Sequence, residues 1–177
     1  MPDYRRNRVP GGTFFFTVNL LDRRSRLLVE RIDALREAVR AVRARRPFHI
    51  DAWVVLPDHM HCIWALPEGD VDYPSRWKAI KIHFAKAMPK TEWLSPVRAA
   101  KGERGIWQHR YWEHTIRDEE DYARHFDYLH YNPVKHRHVT RVCDWPYSSF
   151  HRLVAAGMYP VDWVGDCQES ESVGERR

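Results

Sequence analysis

Hydrophobic positions change period several times along the 177-residue chain, and each change marks a new element. Phe14 to Leu21 is a continuous β-branched and aromatic run, as expected of a central strand covered on at least one face. Ile32, Leu35, Val39 and Val42 then recur at helical spacing with Arg36, Arg40 and Arg43 on other faces, which predicts a helix with a cationic outside. From Phe48 to Leu56, Ile50, Ala52, Val54 and Leu56 alternate with Asp51, Trp53 and Val55, a second strand ending at the Pro57-Asp58 turn. His59 to Leu66 returns as the third strand of an antiparallel hairpin. Trp77, Ile80, Phe84 and Met88 mark a second helix that Pro89 ends, and residues 90–105 read as a mobile, irregular loop. Trp107 to Ile116 alternates as a fourth strand. Asp118 is the predicted N-cap of a helix from Glu119 to about Asn132, with an acidic first turn suited to the helix dipole.

The ends are polar. Residues 1–12 form a basic arm closed by Pro10-Gly11-Gly12 and expected to have no fixed structure alone; residues 166–177 read as a disordered tail. After Pro133 the sequence predicts a histidine-rich turn, then an irregular extension around Asp144–Phe150 packed on the domain. The order β-α-β-β-α-β-α gives an α+β fold: a ferredoxin-like sandwich, with an antiparallel sheet of about four strands and helices on one face. One domain over residues 1–165 accounts for it.

Composition narrows the class. Cys62, Cys143 and Cys167 form no CxxC pair and leave one over, which suits a reduced compartment rather than a disulfide framework. No signal-peptide h-region and no stretch of about 20 apolar residues is present, so a cytoplasmic protein without a membrane span is expected. The net charge of +5 is unevenly spread: residues 1–46 hold twelve arginines against five acids. Arginine at this density suits bidentate phosphate contacts and base stacking, although charge alone equally describes a solvated basic surface. Eight tryptophans and eight tyrosines add stacking surfaces of the kind that bind single strands.

The candidate chemistry begins at Leu56-Pro57-Asp58-His59-Met60-His61-Cys62. On a strand, His59 and His61 emerge on the same face, and two neutral imidazoles there can chelate one divalent cation; an ordinary alternating strand also produces the pair. On the last predicted helix, Tyr122, Phe126 and Leu129 cluster as a buried stripe. Tyr128 and Asn132 lie about 40° apart at its edge, and Tyr131 points away from the core. His109, His114, His125, His130 and His136 read as surface or hydrogen-bonded structural histidines.

Six segments in this order resemble the IS200-like tyrosine transposases, and more narrowly the REP-associated branch of the HUH single-strand endonucleases, where REP stands for repetitive extragenic palindrome. They are Tyr4-Arg5-Arg6, Gly11 to Val18, Val54 to His61, Trp107 to Asp118, Tyr128 to His136, and Asp144 to Phe150. The resemblance covers about residues 4–165. It implies a metal-dependent single-stranded DNA endonuclease and strand transferase acting on REP-type hairpins beside a single-stranded guide. Tyr128 would be the nucleophile, forming a 5′-phosphotyrosine link and releasing a 3′-hydroxyl. His59, His61 and Asn132 would hold Mg²⁺ or Mn²⁺, which helps a hydroxyl that is a poor nucleophile near neutral pH.

Candidate DNA contacts are Arg5, Arg6, Arg8, Arg23, Arg24, Lys78, Lys81 and Lys135, and the chain would act as a monomer or homodimer. One departure stands out: Arg137 replaces the glycine usual in the family's Lys-His-Gly turn, where a left-handed backbone would strain an arginine. Two other readings stay open, a non-cleaving nucleic-acid-binding module on the same fold and a phosphoesterase that uses metal-bound water.

Overall fold

The structure, a computed structural model, describes residues 6–165. Strands β1 (Thr13–Asn19), β2 (His49–Val55), β3 (His59–Ala65) and β4 (Trp112–Thr115) form one antiparallel sheet in the order β2-β3-β1-β4. The sandwich topology is the expected one. The β2–β3 hairpin closes where the Leu56 N–H donates to the His59 carbonyl at 2.8 Å.

Helices α1 (Leu27–Glu30), α2 (Ile32–Arg45), α3 (Tyr73–Lys86), α4 (Pro96–Ala100), α5 (Glu119–Lys135) and α6 (Phe150–Ala155) complete the fold. They do not share one face of the sheet, and β1 shows why. Its three successive phenylalanines are fully buried. Phe14 and Phe16 turn to α3, with ring centroids 4.7 and 5.3 Å from Tyr73, while Phe15 turns the other way, 5.0 Å from His125 and 6.0 Å from Tyr128 of α5. A strand that is aromatic on both sides needs cover on both, so α3, packed against α2, lies over one face and α5 over the other.

The strict alternation expected along β2 is also broken. Ile50 pairs with Trp64 but Ala52 pairs with Ile63, so Asp51 is the extra residue of a β-bulge and Ile50 and Ala52 face opposite sides.

Helix α5 runs past its expected end, with Pro133 inside it. The proline withholds only its own N–H; those of His136, Arg137 and His138 still donate to Asn132, Val134 and Pro133 carbonyls, each at 2.9 Å. Arg137 then takes φ 58°, the left-handed conformation that its position implied. At the other end Asp118 caps the helix, accepting from the Asp121 N–H at 2.8 Å.

Two segments expected to be loose are tied down. Arg104 donates to the carbonyls of Ala85 at 2.7 Å and Pro89 at 2.9 Å and pairs with Glu92, pinning the 90–105 stretch that also contains α4. In the described part of the N-terminal arm, Arg6 donates to the Tyr111 hydroxyl at 2.9 Å, Asn7 to Thr115 at 2.9 Å, and Gly11 N–H to the Asp70 carbonyl at 2.9 Å. Polar side chains thus give the arm partners that composition did not reveal. The C-terminal extension packs on the domain as expected: Val55 N–H donates to the Tyr147 carbonyl and Trp145 Nε1 to the Val55 carbonyl, both at 2.9 Å, covering the outer edge of β2. The expected tail at 166–177 lies outside the described residues.

Candidate active site

His59 and His61 open β3 opposite Asn19 and Thr17 of β1, on the face that α5 covers. They are 1% and 0% exposed, and Asn132 of α5 is 0% exposed. Each has one polar atom held from behind. His59 Nδ1 donates to the Asp58 carboxylate at 2.8 Å, His61 Nδ1 lies 2.8 Å from the Thr17 hydroxyl, and Asn132 Nδ2 donates to the Tyr128 carbonyl at 3.4 Å. That leaves His59 Nε2, His61 Nε2 and Asn132 Oδ1, all buried and none with a hydrogen-bond partner. Three such acceptors are costly in a protein alone, and nitrogen–nitrogen–oxygen donors oriented from behind fit a divalent cation.

Electrostatics agree with a ligand role. Burial holds the His61 imidazole well below its usual range, and the neighbouring His59 adds to this, so His61 is neutral and keeps a lone pair. The Asn132 amide lies close enough to work in the opposite sense, without a hydrogen bond of ordinary geometry to His61.

Tyr128 stands beside this set. Its ring centroid is 5.6 Å from His61 with the planes at 71°, and its hydroxyl accepts from Lys135 Nζ at 3.3 Å. Tyr122 is elsewhere, stacked on Phe126 at 5.4 Å, with burial and Asp51 pushing its hydroxyl up to about 12. The Tyr131 ring lies against Gly165. His136, expected to be a surface or hydrogen-bonded structural histidine, packs its ring 5.0 Å from His59. Its place beside His59 follows from α5 continuing through Lys135.

The whole chain has close counterparts. A curated relative from Escherichia coli (strain K12), described as a REP-associated tyrosine transposase, is 53% identical over 176 residues, covering 99% of this chain and 98% of the relative. The chain belongs to the REP-associated tyrosine transposases. A second relative, from Haemophilus influenzae (strain ATCC 51907 / DSM 11121 / KW20 / Rd) and described as a putative member, is 46% identical over 94% of this chain and 95% of its own. A solved structure of a REP-associated tyrosine transposase bound to a REP hairpin superposes with a TM-score of 0.85 at 52% identity, over 100% of this chain and 99% of that one. No family model matches. The protein is thus a DNA-cleaving transposase, of a family whose chemistry is metal-dependent.

The transposase holds a second group of ligand-type side chains. His114, Asp121 and His125 bring their ligand atoms within 4.8 Å of one another. The two imidazoles are stacked at 4.3 Å and 13°, so their in-plane lone pairs do not converge, and Asp121 already accepts from His114, Arg124 and the Arg117 N–H. The group joins β4 to the first turn of α5 and fits a cation less well than the His59 set.

The cationic side chains expected to meet DNA fall into separate places. Arg6, Lys78 and Lys81 line one cavity of about 860 Å³ with Lys86, Trp107 and Tyr111. Lys81 Nζ donates to the Gln108 carbonyl at 2.9 Å and lies 5.2 Å from the Tyr111 ring centroid; burial lowers its ammonium to about 8. Arg23 pairs with Asp58 at 2.8 Å, behind His59. Arg24 pairs with Asp22 on the surface, and Arg8 is exposed. Lys135 is on Tyr128, and Arg5 lies outside the described residues. No helix among the described residues is long and apolar enough to cross a membrane.

Proposed function

We propose that the transposase cuts and rejoins single-stranded DNA at REP-type hairpins through a covalent link to Tyr128. The observation that carries this reading is the meeting of Tyr128 with three buried, unsatisfied donor atoms of His59, His61 and Asn132. These residues would hold Mg²⁺ or Mn²⁺, with the imidazoles favouring Mn²⁺. When bound, the ion polarises a phosphoryl oxygen and offsets charge at the scissile phosphate. Tyr128 attacks phosphorus, keeps the 5′-phosphate and releases a 3′-hydroxyl; the link conserves the energy needed to rejoin DNA, which hydrolysis would lose.

The hairpin substrate is supported by the relative solved with one. We assign Arg6, Lys78 and Lys81 to single-stranded DNA, because their cavity combines cationic walls with the aromatic rings of Trp107 and Tyr111, and a base can stack there. Arg23, paired with Asp58 next to His59 in sequence, would meet the scissile strand; Arg5, Arg8 and Arg24 would contribute general backbone attraction. We read it as acting as a monomer or homodimer, and we place it in the cytoplasm with its DNA.

The test is incubation with Mn²⁺ and a 3′-labelled single-stranded hairpin, followed by a denaturing gel. Label should travel with the protein in wild type and with neither Tyr128→Phe nor His59→Ala. Cleaved label without an adduct, persisting in Tyr128→Phe, would assign the nucleophile to water; tight binding with no product would favour the non-cleaving module.

A further inference from the structure

Lys135 is one of the cations expected to meet DNA, and its side chain is already engaged. It is the third member of a stripe along α5: Tyr128, Asn132 and Lys135 stand at i, i+4 and i+7, within about 60° of one another on a helix. Helical side chains lean toward the N-terminus, so a long lysine stem reaches back over the preceding turns. Lys135 follows that path. Its Nζ donates to the Tyr128 hydroxyl at 3.3 Å and lies 4.7 Å from the centroid of the same ring. A lysine in the last turn also complements the helix dipole, but that role requires neither contact with Tyr128.

We propose that Lys135 is a catalytic residue of the transposase, one that fixes the Tyr128 oxygen for attack and carries compensating charge beside it during both cutting and rejoining. The proposal rests on Tyr128 being the nucleophile. In cutting, the bond from the Tyr128 oxygen to phosphorus forms and the bond from phosphorus to O3′ breaks. The phenol proton ends, by way of solvent, on the released 3′ oxygen, and Lys135 keeps its own protons throughout. In rejoining, the Tyr128 oxygen is the leaving group and gathers negative charge, where a fixed ammonium helps most because it is already in place. The aromatic contact restricts the ring while the hydrogen bond restricts the oxygen, so one side chain limits both freedoms of the nucleophile.

The experiment compares wild type, Lys135→Ala, Lys135→Gln and Lys135→Arg in single-turnover adduct formation on a 3′-labelled hairpin oligonucleotide with Mn²⁺. Affinity for the same oligonucleotide is measured separately by fluorescence anisotropy. At saturating DNA, Ala and Gln should slow adduct formation about 10- to 100-fold, with affinity changed less than about threefold, and Arg should recover most of the rate. Weaker binding with an unchanged saturating rate would make Lys135 a phosphate contact and overturn the proposal; so would equal rates in all four proteins. If wild type forms no adduct at all, the Tyr128 mechanism itself fails. An adduct of equal rate in wild type and Lys135→Ala removes only the role given to Lys135.

Discussion

The rings of His61 and Tyr128 stand edge to face, centroids 5.6 Å apart, one on the second strand of a hairpin and the other on a helix 67 residues later. Both are held from β1. Thr17 holds the far nitrogen of His61, and Phe15 on the same strand as Thr17 lies 6.0 Å from the Tyr128 ring. One strand of the sheet therefore positions both rings, a placement that does not rely on loops.

Under the proposed metal role of His59, Asp58 would be a tuning residue for the ion. Its carboxylate accepts from His59 Nδ1 and is itself anchored by Arg23. Asp58→Ala should lower Mn²⁺ affinity about 10- to 100-fold while the fold is retained, as is typical for loss of a carboxylate behind a ligand histidine. Isothermal titration with Mn²⁺ in the absence of DNA measures it. Unchanged affinity would mean that His59 is not a ligand or needs no orientation.

Lys81 predicts a pH dependence of DNA binding. Its ammonium, lowered by burial to about 8, loses charge as pH rises through that value. Affinity for a single-stranded oligonucleotide should therefore fall between pH 7 and 9 in wild type and fall less in Lys81→Ala. At pH 7 the variant should also bind with a salt slope shallower by about one unit. Anisotropy titrations across salt and pH give both.

His130 predicts the acid limit of stability. It is fully buried, bonded to the Phe126 carbonyl and the Ser149 hydroxyl, each at 2.8 Å, and burial lowers it from 6.5 to about 4. The unfolded chain takes up the proton first as pH falls. The contribution is thus complete above about 6.5 and is lost as pH falls toward 4, at most about 3 kcal/mol. His61 and His125, also lowered by burial, act in the same direction. Urea denaturation at pH 7.5 and 4.5 should show the loss, with a smaller difference in His130→Gln.

Arg137 is the residue most open to improvement. Its φ of 58° costs a side-chain-bearing residue about 1 kcal/mol that glycine does not incur. Arg137→Gly should raise the melting temperature by about 2–4 °C. A lower melting temperature would show that the arginine makes compensating contacts.

Much of this was legible because it depends on local pattern. The aromatic run of β1, the hairpin at Pro57-Asp58, the Asp118 cap and the shared face of Tyr128 and Asn132 follow from periodicity and turn chemistry. What escaped depends on distant partners. Three adjacent phenylalanines announce burial without saying that one helix will cover Phe15 and another Phe14 and Phe16. A single extra residue at Asp51 reverses the faces of β2. Arg104 immobilises a stretch whose composition reads as loop, and Pro133 inside α5 hides the turn that brings Lys135 and His136 to the site.

The most direct test of the account is the identity of the residue that becomes attached to DNA. The adduct formed on a hairpin oligonucleotide with Mn²⁺ is digested with trypsin and nuclease, and the modified peptide is sequenced by mass spectrometry. The residual nucleotide should lie on Tyr128, joined through a 5′-phosphate. A nucleotide on Tyr131 or Tyr122, or cleavage that leaves no modified peptide, would contradict it.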